Sequence, residues 1–206
     1  MKQQSETKNT WTDYYTQKAQ QEKYPARSVF KLREIQQKTN IFQKNQRVLD
    51  LGCAPGSWLL QAADYVGSNG VVLGIDLIPV KVSYPSHVET REGDVFDIAP
   101  ELVKQKKLFD VILSDMAPLT TGRKDVDATR SMALCETALW VADMLLVPGG
   151  AFVCKIFQQA DFQQFIEKVK QIFEKVKILK PKSTRKASKE IFVIGIQRRG
   201  EDHGGA

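Results

Sequence analysis

The 206-residue sequence contains few cysteines and histidines. Its three cysteines, Cys53, Cys135 and Cys154, are odd in number and widely spaced, and the chain has only two histidines. No pair among these residues has the spacing of metal ligands. We therefore expect neither a disulfide framework nor a metal site, and we expect the protein to reside in a reducing compartment.

Long apolar runs are also absent from the sequence. Residues 1–10 are polar and lack the apolar core of a signal peptide. No apolar run reaches the roughly 20 residues that a membrane-spanning helix needs. We therefore expect a soluble protein that makes no membrane contact, and we take its compartment to be the cytoplasm.

Acidic residues are fewer than basic ones. Asp and Glu total 24 against 30 Lys and Arg, which gives a formal charge of +6 and a pI near 9.2. This surplus favours a polyanionic partner such as nucleic acid. Because many basic proteins bind no nucleic acid, charge alone leaves both interpretations open.

Apolar strand patterns alternate with helix patterns along the chain, which predicts an α/β fold with a mostly parallel seven-stranded sheet and helices on both faces. We expect a polar N-terminal extension over residues 1–24, one monomeric domain over 25–198 and a flexible tail over 199–206. The predicted strands are 47–51, 71–75, 88–92, 109–113, 151–155, 176–179 and 190–196, and the predicted helices are 26–39, 57–66, 125–147 and 162–173.

A glycine-containing turn follows the first predicted strand and precedes a helix. Gly52 and Gly56 allow the backbone to turn tightly and to approach a ligand closely, while Pro55 stiffens the turn. The dinucleotide fingerprint Gly-x-Gly-x-x-Gly is missing, and Pro55 removes one N–H group that a pyrophosphate would need. The turn therefore disfavours NAD or FAD and favours a nucleoside without phosphates, such as S-adenosylmethionine.

Acidic residues stand at the ends of predicted strands, where parallel sheets bind ligands: Asp50, Asp76, Asp94 and Asp115. A carboxylate at the position of Asp76 accepts hydrogen bonds from ribose hydroxyls in nucleoside-binding folds, and Asp94 is placed to accept from an adenine amino group. A helix cap or turn role for Asp76 stays open. Trp58 is a candidate to line the same pocket, against the alternative of a core residue facing the sheet.

Five segments of the sequence together resemble the bacterial ribosomal RNA large-subunit methyltransferase E (FtsJ/RrmJ) family. The resemblance covers roughly residues 11–198, and none of its motifs would suffice alone. Two departures are Ser57, where the family usually has a second glycine, and Leu119, where a polar residue often follows the Ala-Pro. The matching segments are Ala26–Leu32, Asp50–Trp58, Ser114–Pro118, Gly149–Lys155 and Ser188–Val193.

The resemblance implies a Rossmann-like methyltransferase fold with S-adenosylmethionine as the cofactor. It also implies methylation of the 2′-hydroxyl of a uridine ribose in large-subunit (23S) ribosomal RNA, within the large ribosomal subunit. The family's Lys-Asp-Lys-Glu tetrad falls on Lys31, Asp115, Lys155 and Glu190. The implied cofactor-binding residues are Asp50, Gly52, Ala54, Pro55, Gly56, Trp58, Asp76, Asp94 and Asp115.

Methyl transfer from a sulfonium requires alignment of the methyl group with the acceptor hydroxyl. Both histidines lie outside the matching segments, so we expect Lys155 to orient or deprotonate the hydroxyl. Asp115 would position Lys155 and border the cofactor, while Lys31 and Glu190 would hold the acceptor ribose. The alternative is that these four residues form ordinary surface ion pairs.

Two groups of basic residues are clustered in the sequence, one near the entry helix and one just before Glu190. If both lie beside the cleft, they form a track for RNA phosphates, and the aromatic residues Trp11, Tyr14 and Tyr15 are placed to stack on bases. The alternative for each group is a solvated charged surface. The candidates are Arg27 and Arg33, with Lys31, in the first group and Lys180, Lys182, Arg185 and Lys186 in the second.

Three other functions remain as alternatives. A 2′-O-methyltransferase that acts on a tRNA anticodon loop or an mRNA cap would share the tetrad. A non-catalytic RNA-binding relative would keep the fold, although it should have lost tetrad or cofactor residues. An NAD-dependent oxidoreductase is disfavoured by Pro55 and by the missing glycine.

Overall fold

The chain folds into alternating helices and strands. In the computed structural model the described residues are 10–118, 121–158, 161–185 and 188–200. The helices in these ranges are α1 (Thr10–Gln21), α2 (Val29–Thr39), α3 (Ser57–Val66), α4 (Val95–Lys104), α5 (Lys124–Leu145) and α6 (Phe162–Ile172). The strands are β1 (Arg47–Leu51), β2 (Val71–Asp76), β3 (Val88–Glu92), β4 (Phe109–Ser114), β5 (Leu146–Phe157), β6 (Phe173–Leu179) and β7 (Glu190–Arg198).

The seven strands form one sheet in the order β3-β2-β1-β4-β5-β7-β6. Strands β1 to β5 pair in parallel, whereas β7 is antiparallel to both β5 and β6. Leu51 at the end of β1 stands beside Ile75 and Ser114, so the carboxyl ends of the three central strands lie at one edge. The predicted seven-stranded, mostly parallel sheet is confirmed, and this edge carries the candidate site.

Two hydrophobic clusters cover the two faces of the sheet. In β1, Leu49 and Leu51 belong to one cluster with α5 and α6, while Val48 belongs to the other with α2 and α3. The alternation follows from the two-residue repeat of a strand, which turns successive side chains to opposite faces. The central strands are therefore buried on both faces, as expected for a parallel sheet between helices.

Two helices of the structure were not predicted from the sequence. Helix α1 lies inside the segment expected to be a polar extension, and it packs through Ala19 and through the Tyr15 ring, whose centroid is 5.3 Å from that of Phe30. Helix α4 contains Pro100 and was not predicted. The proposed domain limits at residues 24 and 198 stay predictions, and the tail beyond residue 200 lies outside the described residues.

Predicted element boundaries differ from the structure mainly at three places. Strand β6 begins at Phe173 rather than at residue 176. Helix α2 begins at Val29 rather than at residue 26, because residues 27–31 first form tight turns in which Phe30 N donates to Arg27 O. Helix α5 ends at Leu145, and β5 begins at once with a pairing irregularity opposite Phe109 and Val111. The Pro-Gly-Gly segment thus interrupts the start of a strand instead of separating helix from strand.

No helix in the described part of the chain combines the length and the apolar character needed to cross a membrane.

Candidate active site

The turn after β1 brings its backbone close to neighbouring segments. Gly52 has a φ of +77°, and a Cβ atom there would lie 2.8 Å from Met116 Cγ. Gly56 has a φ of +110°, and its Cβ would lie 2.8 Å from Val82 Cγ2. Both positions combine a left-handed backbone with close contacts, so glycine is required at each. The turn between them, which includes Ala54 and Pro55, leads directly into α3.

Asp50 occupies an unusual environment at the end of β1. Its side chain is fully buried, and neither carboxylate oxygen has a hydrogen-bond partner among the described residues. Burial, followed by the charges of Asp115 and Asp76, raises the pKa of this carboxyl well above its usual range. Three carboxylates thus converge on the strand ends, and a ligand carrying hydrogen-bond donors or positive charge would relieve that arrangement.

The two remaining acidic candidates also fix the local backbone. Asp76 Oδ2 accepts a hydrogen bond from Ala54 N at 2.9 Å, and its Oδ1 accepts one from Ile78 N at 3.1 Å. Asp94 is the N-cap of α4 and accepts from Phe96 N at 2.9 Å. A carboxylate oxygen has two lone pairs, so each group keeps the capacity to accept a further hydrogen bond. The turn role that the sequence left open for Asp76 is therefore present in the structure.

Two buried ion pairs lie beside this turn. Lys155 Nζ is 2.9 Å from Asp115 Oδ1 and donates to the Asp115 backbone oxygen at 2.5 Å. Lys31 Nζ on α2 is 2.5 Å from Glu190 Oε1. The Lys155 side chain is 8% exposed, and those of Lys31 and Glu190 are 12% and 13% exposed. Such burial does not fit the alternative of ordinary surface ion pairs.

The sheet register explains why the two pairs meet. In the antiparallel ladder between β5 and β7, Lys155 stands opposite Phe192 and Phe157 stands opposite Glu190. Lys155, Phe192 and Glu190 consequently share one face of the sheet. Lys31 reaches the same face from α2, where its ammonium lies 5.7 Å from the centre of the Phe192 ring. The four tetrad residues are therefore brought together from α2, from the position directly after β4, from β5 and from β7.

The Trp58 side chain is buried in the core and is not exposed at the turn after β1. Its side chain is 3% exposed, its ring packs against Phe192 at 5.6 Å between centroids, and its Nε1 donates to Ser28 O at 2.9 Å. Trp58 is therefore a core residue that faces the sheet, which is the alternative given for it in the sequence analysis. The assignment of Trp58 to the cofactor pocket is corrected accordingly, since both its apolar ring and its polar atom have partners in the core.

Arg33 is likewise engaged inside the protein. Its guanidinium forms short contacts with Glu22 and with Gln61 Oε1, and it lies over the rings of Tyr24 and Phe30 at 5.0 and 5.4 Å. The residue thus joins the segment after α1 to α2 and α3. We therefore set Arg33 apart from the other RNA-binding candidates, because its Nε and Nη1 already have partners in the fold.

The other basic candidates divide into two groups. Burial, followed by the charge of Arg185, lowers the pKa of Arg27, while Glu190 acts in the opposite direction. Arg185 is linked to the start of β7, because its backbone oxygen accepts from Ser188 N at 2.9 Å and Ser188 Oγ accepts from Glu190 N at 3.1 Å. Lys180 and Lys182 are exposed, and Lys180 Nζ donates to Ser188 O at 2.8 Å. Lys186, like Leu119 and the side chain of Trp11, lies outside the described residues.

Comparison with known proteins identifies the family to which this site belongs. Residues 24–198 match the family of FtsJ-like methyltransferases. The chain belongs to this family. Ribosomal RNA large subunit methyltransferase E of Desulforapulum autotrophicum is 54% identical over 195 residues, covering 93% of this chain and 95% of that protein. The protein of the same name from Desulfatibacillum aliphaticivorans is 52% identical and covers 98% and 99%.

Solved structures show the same fold for this FtsJ-like methyltransferase. A putative ribosomal RNA methyltransferase from Plasmodium falciparum is 26% identical with a TM-score of 0.73, covering 86% of this chain and all of that one. Aeropyrum pernix fibrillarin, solved with S-adenosyl-L-methionine bound, shares the fold at 14% identity with a TM-score of 0.58, covering 75% and 67%. The expected Rossmann-like methyltransferase fold is confirmed.

The cofactor of this methyltransferase is S-adenosylmethionine, and the residues of the turn fit it. The cofactor carries an ammonium and a sulfonium, which complement the unpaired carboxylate of Asp50 and its acidic neighbours. Side chains at Gly52 and Gly56 would intrude on Met116 and Val82, so glycine at both positions lets the turn pack closely against these residues.

Two residues that shape the site were missed in the sequence. Ser57 Oγ accepts from Ala26 N at 2.8 Å and donates to Ala26 O at 3.0 Å, which ties the cofactor turn to the segment before α2. Glu34 on α2 accepts hydrogen bonds from Lys182 and Ser183. The departure of Ser57 from the family's glycine was a usable signal, whereas the partners of Glu34 are too distant in sequence to be inferred.

Proposed function

We propose that this protein transfers the methyl group of S-adenosylmethionine to the 2′-hydroxyl of a uridine ribose in 23S ribosomal RNA. The main support is the buried Lys155–Asp115 pair, which lies beside the Lys31–Glu190 pair at the carboxyl edge of the sheet. The names of the relatives, which are ribosomal RNA methyltransferases, support the substrate class.

The geometry of Lys155 suits a group that acts on a hydroxyl. When bound, the cofactor supplies an electrophilic methyl group. The Lys155 ammonium carries up to three hydrogen atoms. It donates one hydrogen bond to the Asp115 backbone oxygen, while Asp115 Oδ1 lies 2.9 Å from Nζ as its ion-pair partner. Nζ therefore keeps the capacity to act on the acceptor, where it either donates to the 2′-oxygen or accepts its proton. Asp115 thereby fixes the direction in which Lys155 acts.

Lys31 and Glu190 hold the acceptor ribose in this proposal. Their side chains offer a donor and an acceptor within one ion pair, so a ribose hydroxyl can exchange hydrogen bonds with both. Asp50, the turn from Gly52 to Gly56, Asp76 and Asp94 bind the cofactor. Arg27, Lys180, Lys182 and Arg185, with Lys186 beyond the described residues, contact RNA phosphates.

The cellular setting belongs to the same proposal. The enzyme acts in the cytoplasm, as a monomer, on RNA within the large ribosomal subunit. Mapping of 2′-O-methylation across total RNA, with and without the protein, tests the substrate. A lost methyl group on transfer RNA or on an mRNA cap, with 23S RNA unchanged, would contradict the assignment.

The assignment of Lys155 is tested by Lys155→Ala, with Lys168→Ala as the control because Lys168 forms an exposed ion pair with Glu136. We expect methyl transfer to fall by a factor of about 100 or more, as for loss of a proton-transfer group. Binding of S-adenosylmethionine, measured by calorimetry, should change little. Turnover near that of the wild type would refute the role of Lys155.

A further inference from the structure

A single carboxylate joins helix α2 to the basic loop, which we define as residues 180–185. Glu34 Oε2 accepts from Lys182 N at 2.7 Å. Glu34 Oε1 accepts from Ser183 N at 2.9 Å and from Ser183 Oγ at 2.6 Å. One side chain thus holds three donors of a loop that is almost 150 residues away in the sequence, and hydrogen bonds to a charged acceptor are the stronger kind.

The basic loop is anchored rather than freely solvated. Pro181, Ser183 and Thr184 are buried, whereas Lys182 and Arg185 are exposed. A turn closes the loop, because Thr184 N donates to Pro181 O at 3.0 Å. The hydrogen bonds from the loop backbone to the Glu34 carboxylate therefore fix which loop residues face inward and which cations face the solvent.

The same helix carries a residue of the tetrad. Lys31 precedes Glu34 by three positions on α2, so the two side chains lie on adjacent turns of one helix face. Lys31 pairs with Glu190 at the start of β7, while Glu34 holds the loop that leads toward that strand. Both ends of the segment from Lys182 to Glu190 are thereby fixed to a single rigid element.

The loop also places two like charges near each other. Arg185 follows the clamped residues, and its backbone oxygen accepts from Ser188 N at 2.9 Å, while Ser188 Oγ accepts from Glu190 N at 3.1 Å. Arg185 is thereby linked to Glu190, the partner of Lys31, and Arg27 lies one turn before Lys31 in the chain. Burial, followed by the charge of Arg185, lowers the pKa of Arg27, which agrees with this placement. Two arginines held together beside one carboxylate form a site for an anion, and the phosphodiester of an RNA strand is an anion of this type.

We propose that Glu34 is a positioning residue for RNA binding, which clamps the basic loop to α2 and thereby holds Arg185 beside Arg27 for a phosphodiester next to the acceptor ribose. This inference rests on the proposed function and adds to it a residue that touches neither RNA nor cofactor. Glu34 acts through its hydrogen bonds to the loop, and the chemistry at Lys155 is independent of it.

The test uses the full-length variant Glu34→Gln. An amide keeps one acceptor oxygen but turns an NH₂ group toward a backbone donor, so part of the clamp is lost. The substrate is the large ribosomal subunit from cells that lack the enzyme. We expect KM to rise roughly tenfold, a change of the size that the loss of a hydrogen bond to a charged group produces. We expect kcat and the Kd for S-adenosylmethionine to stay within about twofold. Glu136→Gln, which breaks an exposed pair with Lys168, is the matched control.

A double-mutant cycle separates positioning from general destabilisation. If Glu34 acts through Arg185, the variant Glu34→Gln/Arg185→Ala should have a KM no higher than that of the worse single variant. Ser183→Ala removes one of the three donors and should raise KM by about threefold. Because this variant leaves Glu34 in place, it tests the clamp even if Glu34→Gln fails to fold. An unchanged KM in Glu34→Gln, or strictly additive effects in the double variant, would overturn the proposal.

Hydrogen exchange distinguishes failure of this inference from failure of the proposed function. The amides of Lys182 and Ser183 should exchange faster in Glu34→Gln than in the wild type, whatever the substrate is. Wild-type protein that methylates no ribosomal RNA would refute the function, while unchanged exchange at these two amides would refute the clamp itself.

Discussion

At the scale of single residues, Asp50 and Asp115 show how the same residue type can take different roles at neighbouring strand ends. Asp115 is paired with Lys155 at 2.9 Å. Asp50 is fully buried, and its carboxylate oxygens have no partner in the described part of the chain. Burying an unpaired carboxylate costs stability, so we expect that a ligand at this edge of the sheet, rather than the fold, gains from Asp50.

The variant Asp50→Asn tests this interpretation through pH. Because folding raises the pKa of Asp50, the neutral carboxyl contributes stability below its unfolded pKa of about 3.9, and this contribution is lost as the pH rises through the folded pKa. In cofactor-free protein, the free energy of unfolding of the wild type should therefore decline relative to that of Asp50→Asn as the pH rises above about 3.9, until the pH passes the raised folded pKa. Urea denaturation at several pH values measures it.

Asp97→Asn serves as the control for this series, since Asp97 is exposed in the first turn of α4. Parallel pH profiles for the wild type and Asp50→Asn would show that Asp50 does not titrate abnormally. We also expect Asp50→Asn to bind S-adenosylmethionine more weakly, because a positively charged ligand favours ionisation of a neighbouring carboxyl, whereas an amide cannot ionise.

At the scale of elements, α2 connects three separate segments around the candidate site. Lys31 contacts β7, Arg33 contacts the segment after α1 together with α3, and Glu34 contacts the basic loop. Leu32 and Ile35 anchor the helix in the core. Helix α2 therefore acts as a frame on which distant segments are aligned.

Arg33 and Arg185 are expected to behave differently when each is replaced by alanine. Arg185→Ala, alone or with Lys182→Ala, should reduce the slope of log affinity against log salt by about 0.7 for each single-strand phosphate that the variant no longer neutralises. Arg33→Ala should leave that slope unchanged but lower the free energy of unfolding by about 1–2 kcal/mol, because its partners become unsatisfied. Filter binding to 23S RNA fragments and urea denaturation measure the two quantities.

The opposite pattern would contradict the structural division of the basic residues. A reduced salt slope in Arg33→Ala with unchanged stability would return this residue to the RNA-binding set. An unchanged slope after replacement of both Lys182 and Arg185 would remove the basic loop from it.

The sequence predicted elements well where apolar residues repeat at a regular interval. Strand β1 was predicted to the residue, because Val48, Leu49 and Leu51 form a short apolar run before a glycine turn. Helix α1 was missed because it is mostly polar and is held by few buried contacts, such as Ala19. Helix α4 was not predicted, and it contains Pro100, a residue that ordinarily argues against a helix interior.

Within the site, motif resemblance supplied the tetrad, but local sequence did not reveal tertiary contacts. The basic residues at positions 27, 33 and 185 look alike in sequence. Only the fold shows that Arg33 is enclosed by Glu22, Gln61 and Tyr24. Trp58 was ambiguous for the same reason, since a helical tryptophan can face either a pocket or a sheet.

At the scale of the whole molecule, cofactor binding should stabilise the fold. The cofactor turn links β1 to α3 and contacts the end of β2 through Asp76, so a ligand there connects several central elements. A ligand at 100 times its Kd adds about 2.7 kcal/mol to the free energy of unfolding.

This gain predicts a rise in Tm of roughly 5–10 °C for a chain of this size when S-adenosylmethionine is added at that concentration. NAD at the same concentration should leave Tm unchanged, because Pro55 and the absent glycine fingerprint disfavour a pyrophosphate. Differential scanning fluorimetry measures both. A larger shift with NAD would contradict the assignment of the cofactor.

The antiparallel insertion of β7 between β5 and β6 affects which assays can show that refolded protein has the native strand register. Residues Ile191 to Ile194 are buried on both faces of the sheet, so hydrophobicity alone barely opposes a slip of β7 by one residue. Gly195, against which Phe173 packs, is one feature that holds the alignment. A slip would turn Glu190 away from Lys31. Specific activity is therefore a quality assay for refolded enzyme, able to detect misaligned molecules that circular dichroism would count as native.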